Sequence, residues 1–279
     1  MPKHAADTTS YGTEPAIASA LASVSSSIPR SEIFLTTKLW NNAHSPEAVG
    51  PALDASLKNL GTDYVDLYLM HWPSPFATSS ELMPKDPKDP SKIAVGETDY
   101  VDTWRAMEEL VKSGKAKAIG ISNFSQKEVQ RLLDNTKTVP AVHQIELHPY
   151  LQQHSFVEWH KQKGIHVTQY SPFGNANPIY DKGKEVGKLI NDEVLVAIGE
   201  KYGKSGAQVA LAWGVSKGRS VIPKSKTEGR IAQNLEAVEG DWELSEEDIR
   251  RIDEVDKKLR FNNPSERFRW KFYEGLDGA

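Results

Sequence analysis

Strand and helix signals alternate along this sequence and predict an α/β fold. The form expected is a (β/α)8 TIM barrel, incomplete at the N-terminus, with about seven of eight strands. Three observations carry that expectation. Parallel strands need a crossover helix for each return, so the alternation implies a parallel sheet. No two of the 19 glycines are separated by a single residue, which removes the G-x-G phosphate turn of the open dinucleotide-binding sheet, and there is no GxxxxGK[ST]. Polar residues recur just after the apolar strands, where a barrel builds its site. On residue pattern alone, an open doubly wound sheet stays the alternative.

The first clear strand is Ile33 to Thr37. Val49, Leu53, Leu57 and Leu60 then fall at helical spacing, which predicts a helix over Pro46 to Asn59 with Ser45 as N-cap. Tyr64 to Met70 is the next strand and Val101 to Lys112 the next helix. Lys117 to Ile121 precedes a helix from Gln126 to Asn135 capped by Ser125. Ala141 to Ile145 precedes a helix over Phe156 to Gln162, and His166 to Tyr170 precedes two helices, Glu193 to Tyr202 and Ala207 to Ser216, broken at Gly203. Arg219 to Ile222 is the last strand, followed by helices over Glu228 to Ala237 and Glu246 to Lys258. A short seventh strand is expected at His4 to Asp7, with nothing before Met1 to supply an eighth. Pro73 to Asp99 and Phe173 to Asp192 read as long loops, either binding loops or loose insertions.

The 279 residues are expected to form one domain spanning 1–279, since a barrel of about 250 residues is a single unit. Cysteine is absent, which excludes disulfides, Cys-ligated zinc, iron–sulfur clusters and a thiol nucleophile. Lys plus Arg is 34 and Asp plus Glu 38, a net charge of −4 that argues against nucleic acid as the partner. The longest apolar run, Val209 to Val215, is far short of the roughly 20 residues of a spanning helix. With no targeting signal found, a cytoplasmic monomer is expected.

Reading off the residues at strand ends gives Tyr11, Lys38, His71, Ser122, Asn123, Gln144, Tyr170, Ser171, Lys224 and Ser225. Singly, each is as easily structural; together they point to chemistry. A tyrosine is a poor acid at neutral pH because its pKa is about 10, and a nearby ammonium lowers it. A histidine can hydrogen-bond a carbonyl oxygen and fix its position. Tyr11, Lys38 and His71 thus form a set able to protonate an oxyanion as it forms, as carbonyl reduction requires, with a hydride from a coenzyme. Two rival readings are weaker. His143 and His148 fall on opposite faces of an extended strand and make a poor metal pair, so no metal is expected. A glycosidase pair of Glu146 and Asp66 puts one carboxylate in mid-strand.

The segments SYGTE (10–14), IFLTTKLWN (33–41), DYVDLYLMHWP (63–73), AIGISNF (118–124), VHQIELHPYLQQ (142–153), TQYSPFG (168–174), AQVALAW (207–213) and IPKSKTEGRIAQN (222–234) resemble the aldo-keto reductases, and RFNNPS (260–265) is similar to that family's C-terminal part. The resemblance implies NADP(H)-dependent interconversion of a carbonyl and an alcohol. It makes Tyr11 the general acid, Lys38 the group that lowers its pKa, and His71 the group that orients the carbonyl. Ser122, Asn123 and Gln144 match positions that bond the nicotinamide carboxamide, and Tyr170 matches the ring that stacks on it. Ser171 and Phe173 match pyrophosphate contacts. Lys224, Ser225 and Arg230 match the 2′-phosphate clamp, and Gln233 and Asn234 the adenine pair, with Gln where the family usually has Glu. Trp40 and Trp72 are expected to wall the carbonyl pocket, core packing being the bland alternative.

Two departures lie at the N-terminus. The family's catalytic Asp stands five residues before the Tyr, where this chain has Ala6; Asp7 stands four before. Either Asp7 takes that role across a shorter loop, or the first residues are not the family's own. The family's opening hairpin, first strand and first helix are not matched, so a shortened chain is expected to be less stable and less active than its relatives. A non-catalytic NADP(H)-binding or regulatory barrel is the alternative function.

Overall fold

A computed structural model describes residues 3–6, 12–174 and 184–279. The chain forms two compact units, Met1–His143 with Pro264–Phe272, and Gln144–Asn263 with Tyr273–Ala279. In chain order the first unit holds β1 (Lys3–Ala6), α1 (Glu14–Val24), β2 (Ile33–Leu39), α2 (Pro46–Leu60), β3 (Val65–Met70), α3 (Tyr100–Lys112), β4 (Ala116–Ser122) and α4 (Gln126–Asn135). β5 (Val142–Glu146) begins in the first unit and ends in the second. The second unit continues with α5 (His154–Gln162), β6 (His166–Tyr170), α6 (Glu193–Tyr202), α7 (Gly206–Ser216), β7 (Ser220–Val221), α8 (Glu228–Glu239) and α9 (Glu246–Asp253). Helix α10 (Ser265–Phe268) returns to the first unit. Among the described residues no helix is long and apolar enough to cross a membrane.

The strands of the first unit pair in parallel, β1 on β2, β2 on β3 and β3 on β4. In the second, β6 pairs in parallel with β7. This is the α/β class predicted. Strands buried on both faces read as continuous apolar runs, and β3 (Val-Asp-Leu-Tyr-Leu-Met) is buried at every position. Gly120 in β4 permits a close approach: a Cβ there would lie 2.4 Å from the Val142 carbonyl oxygen and 2.7 Å from a Leu69 methyl. The core of the second unit gathers Leu195 and Ile198 of α6, Val209, Ala210 and Trp213 of α7, and Ile252 of α9.

Helix α4 begins at the cap expected for it, and α7 has a cap the sequence reading does not name. Ser125 caps α4 in a reciprocal box with Glu128, and Ser205 does the same for α7 with Gln208. Ser45 stands at the N-cap of α2, but its side chain makes no capping bond. Pro51 lies inside α2 at an exposed position and removes one backbone donor from the helix.

Other elements differ. Helix α1 has no clear apolar stripe, and Glu14 is its one buried residue. The Glu14 carboxylate accepts from Thr37 Oγ1 and Asn59 Nδ2, both at 3.0 Å, and so fastens α1 to β2 and α2. Helix α9 stops at Asp253 rather than Lys258. Beyond it Lys258 adopts φ +53°, Asp256 Oδ1 accepts its amide, and Leu259 N–H donates to the Tyr150 carbonyl at 2.9 Å. The Pro73–Asp99 loop is folded. Phe76 bridges Val95, Lys85 bridges Ile93, and Ile93 N–H donates to the Arg267 carbonyl at 3.2 Å.

At the amino end of β3, Asp66 meets Arg30 at 3.0 Å, Lys117 at 2.9 Å and the Leu35 amide at 2.9 Å. Burial would raise its pKa; the Leu35 amide and the two cations outweigh burial and hold it below the ordinary carboxylate value.

Two stability predictions follow from this packing. Gly120→Ala should lower stability by about 1–3 kcal/mol, since the Val142 carbonyl it meets is backbone and cannot swing aside; a thermal melt equal to the parent's would contradict the close approach. A carboxylate with a lowered folded-state pKa stabilises above its unfolded pKa of about 3.9 and loses that contribution as pH falls through the folded value. Asp66→Asn should therefore lower the melting temperature at pH 7, with the gap from the parent narrowing below about pH 4.

Candidate active site

In the first unit, parallel register sets which side chains share an end of the sheet. Lys38 pairs with Leu69, and His71 N–H donates to the Leu39 carbonyl at 3.1 Å, so Lys38 and His71 leave β2 and β3 at the same carboxyl end. Both are buried, at 5% and 7% exposure, an unusual state for a lysine. Burial pushes the His71 pKa well below its ordinary value, and Lys38, followed by His44, lowers it further. The imidazole is therefore neutral at neutral pH. His44 is itself fully buried, with both ring nitrogens unbonded, and burial takes its pKa down to about 3.

Ser122 and Asn123 leave the end of β4 beside them. Asn123 adopts φ +64°, and its Nδ2 donates to the His71 carbonyl and to Ser122 Oγ, both at 3.0 Å. The first of those bonds ties the ends of β3 and β4 together; the second is local to β4.

Trp40 and Trp72 flank the imidazole. The Trp40 ring stands edge-on to His71 with centroids 5.0 Å apart, and the Trp72 ring lies stacked at 6.0 Å. Trp40 Nε1 donates to the Leu82 carbonyl at 2.6 Å, which draws the Pro73–Asp99 loop onto the cluster. Three further rings complete it. Phe268 packs against Trp40, Trp72 and Phe76, and Phe272 lies 4.8 Å from Trp72. Sequence reasoning had not singled out Phe76, Phe268 or Phe272. The signal for Phe268 and Phe272 was their spacing of four within the aromatic run RFRWKFY. Trp270 between them turns away and donates to Glu128 at 2.6 Å.

In the second unit, Gln144 is buried in β5. Tyr170 ends β6 half-buried; burial, with Tyr273 and Glu146 nearby, pushes its phenol well above the ordinary value and keeps it neutral. Ser171 follows at φ +49°, in a turn closed by Gly174 N–H to its carbonyl at 2.8 Å, and Phe173 is half-buried within that turn. Lys224 is exposed before α8, and the Ser225 hydroxyl accepts the Thr227 amide at 3.1 Å. Arg230 and Gln233 are exposed on the first turns of α8, and Asn234 is partly exposed. The N-cap Thr227 makes no side-chain cap; Arg230 lies in the first turn of α8, and Lys224 stands three residues before the cap.

Tyr11 and Asp7, the remaining catalytic expectations, lie outside the described residues. The two rival chemistries meet structural commitments. His143 Nε2 accepts the Phe124 amide at 3.0 Å, whereas His148 Nε2 bonds Glu146 at 3.2 Å, so the pair serves different partners. Asp66 is held by Arg30 and Lys117 at the far end of β3 from His71, and Glu146 is buried and bonded to two backbone amides. Neither carboxylate is placed for acid–base work on a sugar.

Comparison with known proteins gives the family. The profile of the Aldo/keto reductase family matches residues 7–257. An uncharacterized oxidoreductase of Schizosaccharomyces pombe is 44% identical over 254 residues, covering 90% of this chain and 76% of that protein. The NADPH-dependent D-xylose reductase of Meyerozyma guilliermondii is 41% identical over 248 residues, covering 85% and 76%. Among solved structures, the aldose reductase of Schistosoma japonicum superposes with a TM-score of 0.87 at 32% identity, over 97% of this chain and 85% of that one. A buried lysine and a neutral histidine at adjacent strand ends, ringed by tryptophans, therefore sit within a match that runs nearly the whole chain, and the chain belongs to the aldo/keto reductase family.

Proposed function

We propose that this protein is an NADPH-dependent reductase of aldehydes or ketones, acting also in the reverse oxidation, on a (β/α)8 barrel scaffold. The observation that carries the reading is the burial of Lys38 beside a neutral His71 under an aromatic wall. A buried ammonium needs a group that benefits from its charge, and a phenol made more acidic is such a group. The S. pombe, M. guilliermondii and S. japonicum relatives, all named as oxidoreductases or reductases, support the reaction class.

The residues present fit a phosphorylated nicotinamide coenzyme. Lys224 and Arg230 are exposed cations at the uncapped opening of α8, suited to a phosphate monoester. Tyr170 offers a neutral, half-buried ring for stacking, and Ser122, Asn123 and Gln144 offer amide and hydroxyl groups for a carboxamide. When bound, the coenzyme supplies the hydride that no side chain can.

The chain's own residues do the rest. A ring N–H of neutral His71 holds the substrate carbonyl oxygen, and as charge develops there the Tyr11 hydroxyl donates its proton. Lys38 lowers the cost of the phenolate left behind. Asp7 is the proposed anionic neighbour of Lys38. Trp40 and Trp72 keep water from the reacting carbon and present a flat apolar wall to the substrate.

The test is NADPH consumption with glyceraldehyde, xylose, uronic acids and aromatic aldehydes. Tyr11→Phe should cut turnover by roughly 10²–10⁴-fold while leaving NADPH affinity near the parent value; retained turnover refutes Tyr11 as the acid. NADPH binding without turnover on any of these carbonyls favours a binding protein instead. A second expectation concerns pH. Because the pKa of His71 is lowered, its ring stays neutral above the ordinary histidine range and well into it. The acidic limb of kcat/KM should show no fall centred near pH 6.5, and a titration there that disappears in His71→Asn would contradict the neutral imidazole.

A further inference from the structure

The stretch Leu259–Asn262 crosses the carboxyl end of β5 as a strap, and one carboxylate holds it. Glu146 is fully buried at the last position of β5. Its Oε1 accepts the Phe261 amide at 2.8 Å and its Oε2 the Asn262 amide at 2.9 Å, so one side chain takes two consecutive backbone N–H groups. Burial would raise its pKa, but the hydrogen bond and attraction of His148, the charge of Arg260 and the Phe261 amide outweigh this and keep it ionised. The strap is braced on both sides. Arg260 donates to Gln153 Oε1 at 2.9 Å and to the Asp277 carbonyl at 3.0 Å, and its guanidinium lies 3.8 Å over the Tyr273 ring. Gln153 in turn donates to the Glu146 carbonyl at 3.0 Å.

This bracing delivers one side chain to one place. Asn262 Nδ2 donates to the Tyr170 hydroxyl at 3.2 Å, and Tyr273 shares a hydrogen bond with the same hydroxyl. Tyr170 ends its strand, and Ser171 after it turns at φ +49°, so the backbone beyond the ring departs at once from strand geometry. The far end of the ring is where its direction is set.

We propose that Asn262 is a positioning residue for Tyr170. The Glu146 carboxylate fixes the register of the strap, and the Asn262 amide then holds the phenol ring at the angle that nicotinamide stacking needs. The inference rests on the reading of Tyr170 as the coenzyme's stacking platform. It assigns to the C-terminal strap a role in coenzyme affinity, exerted through the tyrosine hydroxyl and without contact with the substrate.

A double-mutant cycle on the full chain tests it. The dissociation constant for NADPH is read from protein fluorescence quenching, with no carbonyl compound present, for the parent, Asn262→Ala, Tyr170→Phe and the double variant. Asn262→Ala should raise it about 3- to 10-fold, the range of one net hydrogen bond. In the Tyr170→Phe background the same change should have no further effect, because the bond it removes is already gone. Equal effects in both backgrounds overturn the inference while leaving the coenzyme reading intact. An unchanged NADPH constant with a raised KM for the carbonyl compound also overturns it, by placing Asn262 against substrate. A parent chain that does not bind NADPH overturns the coenzyme reading and the inference with it. Should Asn262→Ala melt well below the parent, Asn262→Ser, which keeps a polar side chain too short to reach the phenol, takes its place in the same cycle.

Discussion

Parallel strand pairing is the constraint on which the rest depends. Between β2, β3 and β4 it sends every carboxyl terminus to one end and every amino terminus to the other. Lys38, His71, Ser122 and Asn123 therefore share an end, and the Asn123 amide on the His71 carbonyl adds to what the strand pairing already sets. Arg30, Asp66 and Lys117 collect at the opposite end for the same reason. The two ends use charge differently. At the amino end a carboxylate is surrounded by cations and an amide donor, an arrangement that stabilises. At the carboxyl end a lysine is buried beside a histidine that burial and its charge keep neutral, which costs desolvation energy and places positive potential where a reacting group can use it.

That electrostatic asymmetry also explains why the aromatic wall matters. A charge acts more strongly across a low-dielectric medium, and Trp40, Trp72, Phe76, Phe268 and Phe272 supply one around His71. Trp40 and Trp72 pack on the imidazole itself, and Phe76, Phe268 and Phe272, from the loop after β3 and the chain's last tenth, pack on those two tryptophans. The loop is held to that task by Trp40 Nε1 on the Leu82 carbonyl, by Ile93 on the Arg267 carbonyl, and by the ion pair of Arg269 with Asp86. A segment that reads as loose in composition is thus fixed by bonds to residues far off in sequence.

What could be read in advance follows from this. Short-range signals were legible: the apolar runs of the strands, the Ser-x-x-Glu box of α4, and the polar residues just past the strand ends. These depend on neighbours within a few residues, so the sequence carries them locally. Helix α1 was not legible because its one buried residue is a charged Glu14, whose partners Thr37 and Asn59 lie 23 and 45 residues away. The early end of α9 depends on Tyr150, about a hundred residues upstream, whose carbonyl takes the Leu259 amide. Glu146 read as a rival catalyst for the same reason: a carboxylate at a strand end looks reactive until its two amide donors, 115 and 116 residues away, are seen. The family motifs marked Tyr170 as a coenzyme platform, but nothing local to it indicated that Asn262 reaches its hydroxyl.

A buried carboxylate holding two amides is a poor device for stability alone. Desolvating the ion costs several kcal/mol, and an apolar packing of the same volume often does as well. What an apolar contact cannot do is select a register. Two oxygens on one side chain match two consecutive N–H groups only when Phe261 and Asn262 occupy their own places; a slip of one residue along the strap would bring a different side chain to the Asn262 position. Glu146 therefore converts the position of a C-terminal segment into the position of one amide on one phenol, and the cost of burying its charge is the cost of that specificity.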